Sequence, residues 1–532
     1  MMHARSFICK INDSCLLSRR QHHVKSTTAS GEHSKTMKEN NALQLFVQPT
    51  KNIPGPKALP LLGNWFRFIP YIGQYGAYDV ITQLRMLRDR YGDIVKLDSL
   101  MNRRSCILLF SPELCEKMYR MEGKWPMRIG MESLHYYRKN REDVYGKQYG
   151  LATSQGKMWH DFRSKVDPYM MEPRTIKAHI TQISDISYEF VEKMRALRDP
   201  MSPWELPADF RNELYKWSLE SICSIALDCR LGCLKSNLAA DSEPQIMINC
   251  VHDLFDLVYR LDILPSLWKI YNTRNLKKLF RVVDTLNRIA SKHIEQAEAK
   301  LRETTVDDTN LHDRSILEKL LRLDKQMARV MALDMLTAGI DTTGNVAGAM
   351  LYYIASNPEK QDKLLLEVLS VLPEKTSPIT YEILNRTRYT KACIKESLRL
   401  LPIIIGNLRT MQTDVCIGGY KIPAGFDVVA CHSLIATEPT QFPQPQEYIP
   451  ERWLRGDTEF PSAKQAHSFA YMPFGFGPRS CVGQRFAMME LEILLMKVIR
   501  NFWIEWHHGP LKYESRILNR IASPMQFRLF EL

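Results

Sequence analysis

The chain has 532 residues, of which 45% are hydrophobic, 25% charged and 10% aromatic; that balance excludes disordered, collagen-like and low-complexity classes and leaves length enough for a sizeable core. At roughly 150 residues per domain the length fits three or four domains or one large one. With 72 Lys+Arg against 59 Asp+Glu the net charge is +13, which calls for an acidic partner: nucleic acid, an anionic membrane or an acidic protein.

Residues 1–31 hold Arg5, Lys10, Arg19, Arg20 and Lys25 against the single acid Asp13, with five serines among them. This is the Arg/Ser-rich, acid-poor pattern of a mitochondrial transit peptide, expected with its linker over residues 1–45, ahead of one folded domain over 46–532. No run of about 20 apolar residues follows, so neither a spanning anchor nor a secretory segment is expected. Ile53-Pro54-Gly55-Pro56 and Pro60-Leu61-Leu62-Gly63 form a stiff, turn-rich entry to the folded body. Alternating β-like runs fall at 94–97, 106–110, 415–422 and 428–430. Helical periodicity dominates between them, over 175–198, 212–229, 275–302, 315–355 and 381–401. The most apolar long segment, 333–355, carries Asp334 and Asp341 and the glycines Gly339, Gly344 and Gly348, which makes it a buried core helix rather than a membrane span. No internal repeat is present, so one large, mainly helical domain with small β-sheets near both ends is expected.

The twelve cysteines lack paired C-x-x-C spacing, so they form neither a disulfide framework nor a zinc site, and a reducing compartment is the simpler setting. Cys229 and Cys233 read as small buried hydrophobes. One cysteine differs. In Pro473-Phe474-Gly475-Phe476-Gly477-Pro478-Arg479-Ser480-Cys481-Val482-Gly483 a tight turn precedes Cys481 and Gly483 opens a helix over 484–500. Backbone N–H groups and a helix N-terminus favour an anion there, so Cys481 is expected to be a thiolate. A thiolate of this kind suits the proximal side of a haem iron, and Arg479 is placed for a carboxylate such as a haem propionate. Ser480 stands where a dinucleotide loop would need its third glycine, which excludes that reading.

The pattern Phe474-x-x-Gly477-x-Arg479-x-Cys481-x-Gly483 resembles the haem-binding loop of the cytochrome P-450 superfamily. The resemblance implies a mainly α, single-domain fold with haem b, iron protoporphyrin IX, buried between a long central helix and the Cys481 loop, with Phe474 beside it. Ala338-Gly339-Ile340-Asp341-Thr342-Thr343 matches the family's distal-face helix; this makes Thr342 the hydroxyl that meets dioxygen and Asp341 a proton-relay acid. Taken alone, Thr342 reads as a hydroxyl bonded back to its own helix, and Gly339 as a point where the helix can open. Glu396-x-x-Arg399 alone would be a surface ion pair worth roughly 0.2–0.5 kcal/mol. Its order ahead of Pro450-Glu451-Arg452-Trp453 and Cys481 is the family's, which implies a buried Glu396–Arg399–Arg452 network supporting the haem loop. Trp159-x-x-x-Arg163 and Arg409 resemble the family's propionate-binding positions. Tyr448 stands where the family usually has Phe.

No flavin or nicotinamide fingerprint exists in the chain, so electrons must come from outside. Arg388, Lys391 and Lys395 fall within about 60° of arc on one helix. Lys391 and Lys395 look like the mitochondrial subgroup's ferredoxin-docking lysines, and Arg485 fits the same surface; Gln484 and Met488 depart from that subgroup's usual Arg and Glu. The overall resemblance is to arthropod mitochondrial members. It implies a matrix-side monooxygenase that inserts one atom of O2 into a lipophilic substrate, steroid- or ecdysteroid-like or xenobiotic. Electrons would come from NADPH through a reductase and a [2Fe-2S] ferredoxin, with nucleic acid no longer a partner. Residues 254–268, apolar and broken by Pro265, are expected to touch the inner membrane, with Phe255 and Trp268 as anchors. Two alternatives keep Cys481: a haem-thiolate isomerase or dehydratase that needs no external electrons, and a non-enzymatic haem sensor.

Overall fold

The helix expected over 315–355 is interrupted once. It divides into Ile316–Leu323 and Lys325–Ala355 at Asp324, whose extended backbone ends the first segment and whose carboxylate accepts from the Met327 N–H to start the second. The computed structural model describes residues 47–532 except 61, 70, 99–103, 199–200, 237, 304–313 and 457–459; the expected leader over 1–45 lies outside the described residues.

The central helix, Lys325–Ala355, is buried on nearly every side, which is why its sequence is apolar all round rather than striped. Its glycines serve close approach. A Cβ at Gly339 would stand 2.8 Å from Ile222 Cγ1, one at Gly344 2.6 Å from Tyr215 Cδ1, and one at Gly348 2.7 Å from Ile521 Cδ1. The first two contacts come from the Phe210–Ala226 helix, which crosses here. Ser218 of that helix donates to the Gly339 carbonyl at 2.9 Å. The helix runs unbroken through Gly339.

The other long helices lie where the periodicity put them, at Pro173–Ala196, Phe210–Ala226, Arg274–Glu303 and Gln484–Asn501. The expected 381–401 helix is two, Tyr381–Arg386 and Arg388–Leu400. Glu367, on the Pro358–Val371 helix, accepts from the Tyr389 and Thr390 N–H groups at 2.7 and 2.8 Å and so caps the second from outside its own sequence.

Among the described residues, ten short strands complete the fold: β1 Ile94–Leu97, β2 Cys106–Leu109, β3 Asn407–Thr410, β4 Val415–Ile417, β5 Tyr420–Ile422, β6 Asp427–Ala430, β7 Phe502–Glu505, β8 Tyr513–Ser515, β9 Asn519–Ile521 and β10 Arg528–Glu531. The main sheet has the order β1-β2-β6-β3, with β2 and β6 parallel and the other pairs antiparallel. Strand β3 and the pair β8–β9 are too short and polar to show alternation, and the apolar β7 follows the Gln484–Asn501 helix without a break. One cluster of buried side chains joins the helices to β7, β9 and β10, and two smaller ones cover the faces of the main sheet. The described residues from Pro49 onward form one compact, mainly α unit with small sheets. Among the described residues no helix is long and apolar enough to cross a membrane.

Candidate active site

The Cys481 loop is built by local geometry. Gly475 and Gly477 both have φ of +72°, in the left-handed region that a side chain disfavours, and a Cβ on Gly477 would also stand 2.7 Å from Glu122 Oε1. The Cys481 N–H then closes the turn on the Phe474 carbonyl at 2.8 Å. Phe474 is half-buried against the main core. Cys481 keeps accessible surface within a densely packed surrounding. Burial pushes its thiol above the ordinary value, and the Gly483 N–H, Arg163 and Arg128 pull it back only in part. The expected thiolate therefore does not follow from the protein's own groups; coordination to a metal cation would favour the deprotonated sulfur.

Arginines from three other segments gather at this loop around its own Arg479. Arg479 donates to the carbonyls of Pro126 and Ser154 at 2.9 and 3.0 Å and to Gln155 Oε1 at 2.9 Å, and lies 3.9 Å from the centroid of the Trp159 ring. Arg163, one turn beyond Trp159 on the Gly156–Met170 helix, donates to the Ser480 carbonyl at 3.0 Å. Arg409 on β3 pairs with Glu122 and donates to the Phe476 carbonyl at 3.3 Å. Arg128 is the member that the sequence reading missed. Its N–H donates to Gln155 Oε1 at 2.8 Å, its carbonyl accepts from Gln155 Nε2 at 2.7 Å, and the Thr410 N–H pins the neighbouring Met127 carbonyl to β3 at 2.9 Å. Its one sequence signal is an arginine just after Trp125-Pro126.

Burial, with Arg128, Arg409 and Arg163 nearby, pulls the Arg479 guanidinium down to about 8, while Glu122 is the carboxylate that opposes this. Burial likewise lowers Arg128 to about 10. Four guanidinium groups set against two carboxylates, Glu122 on Arg409 and Asp167 at 2.5 Å from Arg163, form a cationic surplus, and the buried Trp125 Nε1 beside them has no hydrogen-bond partner. Both observations fit a bound group that carries carboxylates. The residues present suit haem.

Asp341 and Thr342 lie in the middle of the central helix. Ala338, Gly339 and Thr342 keep accessible surface there, while most of their neighbours are buried. The Thr342 hydroxyl donates to the Ala338 carbonyl at 2.7 Å, which is the back-bond its sequence position predicts. Asp341 is fully buried and paired with Arg520 at 2.5 Å and His252 at 2.8 Å.

The Glu396 network is closed and dry. Arg399 forks onto both Glu396 oxygens at 3.0 and 2.8 Å, Arg452 donates to Oε1 at 3.0 Å, and Trp453 Nε1, unforeseen, donates to Oε2 at 2.8 Å. Arg399 then donates to the carbonyls of Ala436, Pro445 and Glu447, and Arg452 to that of Pro443, so every charge is both paired and solvated by backbone.

The residues of the two expected surfaces differ in exposure. Lys391 is half-buried, 3.6 Å from Glu492 and bonded to the Leu384 carbonyl, while Lys395 lies over the Trp453 ring at 5.8 Å with its ammonium lowered first by burial and then by Lys391. Arg388 and Arg485 are the exposed cations of that group. Phe255 and Trp268 are both buried, and Trp268 Nε1 donates to the Leu261 carbonyl at 3.0 Å. The Glu243–Val258 helix ends in a π turn, Tyr259–Ile263; its last residue Ile263 and, beyond it, Leu267, Ile270 and Tyr271 are 52, 56, 75 and 57% exposed.

The chain matches the family model described as cytochrome P450 over residues 53–525. It is 36% identical over 505 residues to "Probable cytochrome P450 12a5, mitochondrial" of Drosophila melanogaster, covering 93% of each chain. It is 35% identical over 499 residues to "Cytochrome P450 CYP12A2" of Musca domestica, covering 91% of this chain and 92% of that one. With "Cytochrome P450 12b1, mitochondrial" of Drosophila acanthoptera it shares 37% identity over 481 residues, 89% of this chain and 88% of the relative. The chain belongs to the cytochrome P450 family of haem-thiolate monooxygenases.

Proposed function

We propose that the protein is a mitochondrial, ferredoxin-fed monooxygenase acting on a lipophilic substrate, with Cys481 as the axial ligand of haem b. The observation that carries this reading is the cationic surplus of Arg128, Arg163, Arg409 and Arg479 gathered around the accessible Cys481. Haem, when bound, supplies reductive activation of O2, one atom entering a substrate C–H bond and the other leaving as water.

The chain's own residues bind, hold and move protons. The Gly483 N–H and the cations Arg163 and Arg128 favour the sulfur anion. The four arginines, with Trp159 fixing Arg479, hold the haem carboxylates. Glu396, Arg399 and Arg452 lock the segment ahead of the loop. The Thr342 hydroxyl can turn from the Ala338 carbonyl to a reacting oxygen, and Asp341 provides the acid beside it.

Electrons enter from a [2Fe-2S] ferredoxin that docks on exposed cations including Arg388 and Arg485. Residues 1–45 serve as transit peptide and linker, and the exposed apolar side chains Ile263, Leu267, Ile270 and Tyr271 rest on the matrix face of the inner membrane. The names of the two Drosophila relatives quoted, which carry the word mitochondrial, support this placement.

The test is reconstitution of the purified holoprotein with NADPH, ferredoxin reductase and ferredoxin against a sterol and xenobiotic panel. Oxygenated product that depends on ferredoxin is expected. A thiolate-type CO difference spectrum without turnover of any panel member would turn the reading toward an isomerase or dehydratase. Cys481→Ser is expected to abolish that spectrum, and an unchanged spectrum would remove Cys481 as ligand.

A further inference from the structure

Asp341 has no exposed surface, yet two elements outside the central helix reach its carboxylate. Oδ1 lies 2.8 Å from His252 Nε2 on the Glu243–Val258 helix, and Oδ2 lies 2.5 Å from Arg520 Nη2 on β9. Arg520 also reaches that same helix: Nη2 donates to the His252 carbonyl at 3.3 Å, and Nη1 stands 3.5 Å from Asp256 Oδ1. Asp256 in turn pairs with Arg516 in the turn between β8 and β9, and Arg516 with Glu514 at 2.6 Å. The remaining polar neighbours belong to the same knot. Tyr215 packs edge-on to the His252 ring at 4.7 Å and donates to Asn345 Oδ1 at 3.2 Å, and that oxygen accepts from the Ile521 N–H at 3.0 Å.

The helix and the hairpin therefore meet the central helix through one buried carboxylate. The chain of charges runs from partly exposed Arg516 and Asp256 inward to Asp341. Removing one partner of a buried ion pair leaves the other charge uncompensated. Moving either element away must therefore strip Asp341 of a partner, so the packing of the helix and of the hairpin on the central helix is coupled through this one carboxylate.

We propose that Asp256–Arg520–Asp341–His252 is an ionic strap that closes the Glu243–Val258 helix and the β8–β9 hairpin onto the central helix. Arg520 and His252 are positioning residues for Asp341. The strap stands on the contacts themselves; only its effect on proton delivery rests on the oxygenase reading above.

Hydrogen exchange of the haem-loaded enzyme tests it, comparing Arg520→Gln, Arg520→Lys and Asp341→Asn with the unmodified chain. Exchange is expected to rise together in 243–258 and 513–521, by roughly tenfold in Arg520→Gln and Asp341→Asn, and to return most of the way in Arg520→Lys. Faster exchange confined to the hairpin in Arg520→Gln, with 243–258 unchanged, would overturn the strap. In the ferredoxin-reconstituted system, the fraction of NADPH electrons recovered as hydrogen peroxide is expected to rise in Arg520→Gln and to fall back in Arg520→Lys. Coupled exchange with an unaltered peroxide fraction would overturn the positioning role. Coupled exchange in an enzyme that turns over nothing would overturn the oxygenase reading and leave the strap in place.

Discussion

The Arg479 guanidinium carbon sits over the indole of Trp159, 3.9 Å from the ring centroid, while its nitrogens donate to the Pro126 and Ser154 carbonyls. The ring covers one face of a buried cation whose neighbours are also cations, so it sets where that cation can rest. Trp159→Ala is expected to cost about 3–5 kcal/mol and to reduce haem retention, whereas Trp159→Phe keeps an aromatic face and loses less. Thermal unfolding and the haem-to-protein ratio check this; a Trp159→Ala protein with unmodified stability would contradict it.

Glu122 and Arg409 form an ion pair with almost no exposure. Arg409→Met strands the carboxylate and is expected to destabilise by about 3–5 kcal/mol, more than Glu122→Gln with Arg409→Met together. Denaturant unfolding of the two singles and the double closes the cycle, and purely additive costs would mean that the pair is not coupled.

The ferredoxin surface is expected to depend on exposed cations more than on Lys391. Arg485→Glu should raise the KM for ferredoxin roughly tenfold at low salt and converge with the unmodified enzyme at high salt. Lys391→Gln should act mainly on stability, since its ammonium serves the buried Glu492, whose carboxyl burial has pushed up to about 7. Steady-state rates at varied ferredoxin and salt separate the two, and identical salt slopes for Arg485→Glu and the unmodified chain would remove Arg485 from the surface.

Glu490 is buried with Oε1 unpartnered, and burial alone pushes its carboxyl up to about 8. The folded state therefore keeps a proton that the unfolded state loses, so this group's contribution to stability is full at acid pH and declines between its unfolded value and about 8. Glu490→Gln should flatten that decline, raising stability at pH 8 by on the order of a few kcal/mol and changing it little at pH 4. Unfolding at the two pH values decides; equal effects would mean that Glu490 is not the group responsible.

Ile263→Ser with Ile270→Ser should weaken binding to vesicles of phosphatidylcholine and cardiolipin without loss of thermal stability. Trp268→Ala should instead destabilise the fold, because its indole is buried and bonded to Leu261. Co-sedimentation read beside unfolding separates surface from core, and unchanged sedimentation of the double variant would remove these residues from the contact.

What was legible in the chain was what short-range chemistry dictates. The Cys481 turn depends on two left-handed glycines within a few residues of the sulfur, so its motif stands in the open. The central helix and its Asp341-Thr342 pair were visible because an acid within an apolar run is costly without a partner. The polar strand β3 and the break at Thr387 were not legible. Pairing with β6 makes the first, and the cap that Glu367 lends from another helix accompanies the second. Arg128 was missed for the same reason, since its neighbourhood comes from Gln155, Thr410 and Arg479, each remote in sequence.

The sequence by itself determined the family-like loop, the helical class and the residue types that gather at the site, because these follow from backbone sterics and periodicity. Only the tertiary structure decided which cations face outward, that Glu492 holds Lys391 against the protein, that Trp268 is core while Ile270 is surface, and that Asp341 is strapped by His252 and Arg520. Burial and charge pairing are properties of neighbours in space, and a linear order of residues leaves those neighbours unspecified.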